Sequence, residues 1–155
     1  TMLGITFDKN GKLYVGDYDI TNVAVDRFNA DGTFDTTFIS LANFHHGTGG
    51  GPEGITFGAD GNFYDVVARS EVDRYDNTGK YLGPFANAGG LQVPVGLTFG
   101  GPNGNLFVAD SKGNDVIQYS KTDGSVVQPN PFASGGGLVG PYDLNIHNGP
   151  SAGGG

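Results

Sequence analysis

The sequence predicts an all-β fold of propeller type, present as about three four-stranded blades, and three observations carry that prediction. One phrase recurs, with Gly4-Ile5-Thr6-Phe7 leading to Leu13-Tyr14-Val15, Gly54-Ile55-Thr56-Phe57 to Phe63-Tyr64, and Gly96-Leu97-Thr98-Phe99 to Leu106-Phe107-Val108. Each copy alternates apolar and polar residues, turns tightly at a glycine and alternates again, which is the pattern of a β-hairpin. The marker residues Ile5, Ile55, Leu97 and Leu144 lie 50, 42 and 47 residues apart, and a strand-built period in the forties belongs to propeller blades rather than helical solenoids. No window carries apolar residues at helical spacing without a break at Gly, Asp or Asn, so helix is all but excluded.

Within the first unit the alternation predicts strands at 3–7, 12–17, 22–28 and 34–41. The first pair is joined at Asp8-Lys9-Asn10-Gly11 and the second at Asn29-Ala30-Asp31-Gly32, with Asn, Asp and Gly where a tight turn needs them. The second unit repeats the plan at 54–57, 62–68, 70–75 and 81–85, and the third at 96–99, 105–110, 115–119 and 125–128. The units therefore span about 3–41, 54–85 and 96–132, within a single partial domain over residues 1–155. Glycine-rich connectors at 47–52, 89–94 and 135–141 recur at one point of the repeat, which marks them as loops from an outer strand to the next inner strand, not as domain linkers. Each ends in a proline, Pro52, Pro94 or Pro141, whose missing N–H falls ahead of the strand ladder. A fourth copy starts at Pro141-Tyr142-Asp143-Leu144 and predicts one extra inner strand at about 142–147.

Eight Lys and Arg against 16 Asp and Glu give a net charge of −8, the wrong sign for tracking phosphates, so nucleic acid is excluded as a partner. With no Cys, disulfides, thiolate metal sites and Cys nucleophiles fall away. No stretch reaches the roughly 20 apolar residues of a membrane span. The 29 Gly and the acidic balance suit an extracellular or cell-surface β protein.

The third copy carries a more specific pattern, Phe107-Val108-Ala109-Asp110 followed by Gly113-Asn114, the strand Asp115-Val116-Ile117-Gln118-Tyr119 and Asp123-Gly124. This resembles the NHL repeat. The first copy matches less closely, with Asp17 and Asn22 in the Asp and Asn roles, and in the second Val67 stands where the Asp belongs. The resemblance implies a propeller whose first strands line a central channel. The Pro-x-Gly lead into each first strand is also similar to streptogramin lyases and, more loosely, to gluconolactonase-type propellers. In those families the x residue looks into the channel mouth; here it is Glu53, Val95 and Tyr142, with Asp143 in place of Gly after the last. A lyase site of that kind would need His at an x position, and none stands there.

Propellers typically have roughly four to eight blades, and three cannot close a ring. An open ring exposes apolar faces. A dimer of six blades, a longer propeller or a head-to-tail assembly would each cover them. The extra inner strand, lacking strands of its own to pair with, is expected to add to a blade elsewhere, so the chain itself is the first expected partner.

The candidate site residues divide by chemistry. Asp17 and Asp110 end the second strands of their blades. They read either as an acidic pair at the channel mouth that could take Ca2+ or Mg2+, or as carboxylates accepting backbone N–H bonds from their own turns. Glu53 and Tyr142 are ligand candidates facing the channel. His45 and His46 are the candidate metal ligands, although adjacent residues in an extended connector would point to opposite sides. The leading function is a non-catalytic, extracellular or surface interaction module that self-associates and offers its loop face to a protein, glycan or small ligand. The alternative is a propeller enzyme of lyase or lactonase type using a divalent cation in the channel, and a third reading is a filament or matrix repeat.

Overall fold

The computed structural model describes residues 2–145, apart from residues 20, 48 and 68 and the side chain of Met2; residues 146 and 147 of the expected extra strand, with His147, lie outside the described residues. Among the described residues there are twelve strands and no helix. The first blade is β1 (Met2–Phe7), β2 (Leu13–Asp19), β3 (Asn22–Phe28) and β4 (Phe34–Ile39); the second is β5 (Gly54–Phe57), β6 (Phe63–Val66), β7 (Val72–Tyr75) and β8 (Tyr81–Ala86); the third is β9 (Pro94–Gly100), β10 (Asn105–Asp110), β11 (Asp115–Tyr119) and β12 (Ala133–Ser134). Each blade is an antiparallel meander in chain order. The inner strand β1 adjoins β5 and β5 adjoins β9, as an incomplete propeller requires.

The turns are held by the residues that predicted them. Asp76 Oδ1 accepts the backbone N–H groups of Thr78 at 2.8 Å and Lys80 at 3.1 Å and the Thr78 hydroxyl at 2.6 Å, and Gly79 follows at a φ of 84°, which a side chain rarely tolerates. Those bonds hold the Asp76 carboxyl below its ordinary range, the Thr78 hydroxyl contributing most. Two expectations need correction. The fourth strand of the third blade is not at 125–128 but at Ala133–Ser134. Residues 125–132 still follow β11 through scattered bonds, such as Val127 N–H to Gln118 O and Phe132 N–H to Val116 O, both 2.9 Å. Pro129 and Pro131 have no N–H to donate, so a continuous ladder cannot run through them. Among the described residues Tyr142–Asn145 form no strand and join none of the three sheets.

Two apolar layers fill the spaces between blades. Tyr14, Val25, Phe38 and Ile39 of the first blade meet Ile55, Phe63 and Tyr75 of the second. Tyr64, Val66, Val72 and Phe85 of the second meet Leu97, Leu106 and Val108 of the third. The rings of Tyr14 and Phe57 at the first junction, and of Tyr64 and Phe99 at the second, meet edge-on with centroids 4.8 and 5.0 Å apart.

The recurring glycine of the inner strand sets how closely blades approach. A methyl group on Gly54 would stand 2.8 Å from Val95 O, and one on Gly96 2.8 Å from Tyr142 O. Gly4 meets the backbone of Glu53 and Ile55 in the same way. Tyr142 and Asp143 therefore occupy, beside β9, the place that β9 holds beside β5. The substitution Gly54→Ala is expected to cost about 2 kcal/mol through this overpacking, seen as a fall of roughly 6 °C in melting temperature; an unchanged melt would refute the close approach.

Candidate functional site

The inner strands and Tyr142–Asn145 enclose a groove of about 440 Å³ in which the x positions meet: Glu53, Val95 and Tyr142, together with Leu3 ahead of Gly4. Glu53 is half-buried there and burial pushes its carboxyl above the ordinary range. Tyr142 is 72% exposed. The carboxylate that joins Glu53 in the groove is Asp143, the residue in the glycine position of the fourth copy. Neither Asp17 nor Asp110 lines it.

Asp110 does something else. It is fully buried, and its carboxylate accepts backbone N–H bonds from Gln92 (2.6 Å), Val93 (2.8 Å) and Gly113 (3.1 Å). One side chain thus ties its own turn to the connector that enters the third blade. Asn114, at a φ of 57°, accepts the Gly140 N–H at 2.8 Å and ties the next connector. In the third copy Asp110 and Asn114 tie the neighbouring connectors to the blade, and both oxygens of Asp110 accept backbone N–H bonds. Asp17, half-buried on β2 opposite Ala24, is not brought to Glu53 within the groove.

The histidines are placed differently from the expectation. Residues 41–47 form turns rather than an extended loop, because Asn43 N–H and Phe44 N–H both bond to Ser40 O at 2.9 Å and Phe44 is buried in the layer between blades. The Tyr75 hydroxyl accepts the His45 backbone N–H at 3.1 Å and fixes the turn against β7. As a result the two imidazoles lie on one side, with centroids 4.6 Å apart. His45 stacks on Tyr81 at 4.0 Å, and His46 Nε2 stands 2.7 Å from Asp73 Oδ2 and 3.3 Å from Glu71 Oε1.

Beneath them lies a pair of acids that the sequence reading did not single out. Asp65 on β6 and Asp73 on β7 are cross-strand partners, 0% and 1% exposed. The other blades serve as internal controls: the pair at the same register is Val108 and Ile117 in the third blade, both fully buried, and Val15 and Asp26 in the first. The second blade has put two carboxylates where the third has two aliphatic side chains. Asp73 Oδ1 accepts the Tyr81 hydroxyl at 3.0 Å, while among the described residues no donor reaches either oxygen of Asp65. Burial, with Asp73 and Glu71 nearby, pushes the Asp65 carboxyl well above the ordinary carboxylate range. Burial raises Asp73 as well, opposed by His46 and by the Tyr81 hydrogen bond. The available signal was the break in alternation at Asp65, visible only when the three repeats are laid over one another.

Comparison with solved structures places this architecture among β-propellers. The chain superimposes on the crystal structure of a nidogen/laminin complex with a TM-score of 0.62 and 25% identity, covering 81% of this chain and 45% of that one. It is similarly like virginiamycin B lyase from Staphylococcus aureus (TM-score 0.59, 19% identity, 81% and 40% covered). A putative gluconolactonase gives a TM-score of 0.59 at 20% identity, with 83% and 51% covered. The chain thus spans about half the length of these propellers. No family model and no curated protein matches the sequence.

Proposed function

We propose that the chain is a non-catalytic binding module of NHL type that works as half of a six-bladed propeller, the other half being a second copy. The observation that carries this reading is the state of one repeat position. Ile55 and Leu97, which pack on the preceding blade, are 5% and 6% exposed, whereas Ile5 is 64% exposed, and Phe7 beside it 62%. The first blade has an interblade face with no blade against it. At the far end the ring paired with Phe107 among the described residues is Phe132 of its own blade, while its counterparts Tyr14 and Tyr64 take a phenylalanine from the next. A second copy covers both open faces through two equivalent junctions.

The binding face is the loop-rich rim around the groove, offered to a protein, glycan or small ligand. An extracellular or surface setting accords with the composition and with the likeness to a nidogen seen in complex with laminin. The lyase or lactonase alternative draws less support, because the oxygens of Asp110 are taken up by backbone N–H groups. Light scattering on the purified chain is expected to give twice 16.0 kDa, and the pair of changes Ile5→Asp and Phe7→Ser to return it to a monomer. A stable, non-aggregating monomer of the native chain would overturn the proposal.

A further inference from the structure

We propose that His45, His46, Glu71 and Asp73 hold a divalent transition-metal ion of zinc type, a staple between the connector leaving the first blade and the third strand of the second. One donor atom from each of the four lies within 4.8 Å of the others. A tetrahedral ion with bonds of about 2.0–2.2 Å sets its donors roughly 3.4 Å apart, so small side-chain rotations complete the set. His46 already shows the convergence. Its Nε2 is buried, close to carboxylate oxygens of both Asp73 and Glu71, and yet forms no hydrogen bond.

Asp65 is the independent sign that a cation belongs here. It is fully buried directly across the ladder from Asp73, and no protein donor reaches either oxygen. Asp65 and Asp73 share one face of the second blade and Glu71 stands beside His46; among the described residues the ion pairs of Glu71 and Asp73 are with His46 alone, not with Lys or Arg. A buried carboxylate stays charged only beside a counter-charge or a metal. The surroundings also hold the ligands in place: Tyr81 donates to Asp73 Oδ1, leaving Oδ2 toward His46, and stacks beneath His45. Outer partners of this sort orient ligands in metal sites.

Two imidazoles with two carboxylates favour zinc and its neighbours over Ca2+ or Mg2+, which take oxygen ligands. Four protein ligands make a closed, structural site rather than a catalytic one. The site lies between blades, apart from the groove lined by Glu53, and does not depend on the proposed dimer.

The test uses the full chain stripped by a chelator and then titrated with ZnCl2. Calorimetry is expected to show one ion per chain, and at a hundredfold excess over the dissociation constant the melting temperature is expected to rise by about 5–10 °C. CaCl2 or MgCl2 at the same concentration is expected to leave it unchanged. His45→Ala, at an exposed position, and His46→Ala should each weaken zinc binding at least tenfold. Co2+ added to the unaltered chain should develop the visible bands of a tetrahedral site, a readout that needs no variant to fold. Absence of zinc binding by the folded chain, binding that survives both histidine changes, or a Co2+ spectrum of the hydrated ion would each overturn the proposal.

Discussion

Asp110→Ala is expected to lower stability by about 4 kcal/mol, because it takes the acceptor from three part-buried backbone N–H groups and each such loss costs roughly 1–3 kcal/mol. The carboxylate is fully buried and binds Gln92, Val93 and Gly113, so its loss unties the connector between blades two and three from the turn after β10. For a domain whose whole stability is about 5–15 kcal/mol, this loss would lower the melting temperature by roughly 12 °C. Asp110→Asn separates hydrogen bonding from the need for two oxygens. Its single carbonyl can serve Val93 and Gly113 from the Oδ1 position, but its NH2 then faces the Gln92 N–H, so an intermediate loss is expected. Denaturant melts of the three proteins provide the measurement. A melt of the alanine variant within a degree of the parent would show that the clamp carries no weight.

The same residue shows what the sequence could and could not tell. Turns and alternation are local, so the twelve strands were largely readable, down to the aspartates that accept bonds within their own hairpins. The fourth strand of the third blade was misplaced because Val126 and Val127 look like a strand, while Pro129 and Pro131 break the ladder and move its regular pairing to Ala133. Asp110 accepting from Gly113 follows from its turn. That it also accepts from Gln92 and Val93 depends on where a connector 17–18 residues away returns, which no local pattern reveals. The histidines were visible as candidate ligands, but their common orientation comes from Phe44 being drawn into the layer between blades, a tertiary effect. Glu71 and Asp73 become their neighbours only once β7 is packed against that turn.

Asp65→Val is expected to raise the stability of the metal-free chain by about 2 kcal/mol, whereas Asp73→Ile, the same kind of change one strand away, is expected to lower it by about 1 kcal/mol. The difference follows from partners. Asp65 is buried with no protein donor to either oxygen, and valine is what the first and third blades hold at that register, as Val15 and Val108. Removing a buried carboxyl whose oxygens accept no hydrogen bond among the described residues relieves its desolvation cost. Asp73 accepts the Tyr81 hydroxyl and faces His46, so its loss strands two groups, and removing one member of a buried set is destabilising. Melts of the two variants in chelator test this by sign alone, and a destabilised Asp65→Val would refute it. Since two blades fold with valine in that place, folding by itself does not call for the carboxylate in the second. Its cost to the metal-free chain is offset when a cation sits among His45, His46, Glu71 and Asp73, so the stabilisation by Asp65→Val is expected to shrink when zinc is added.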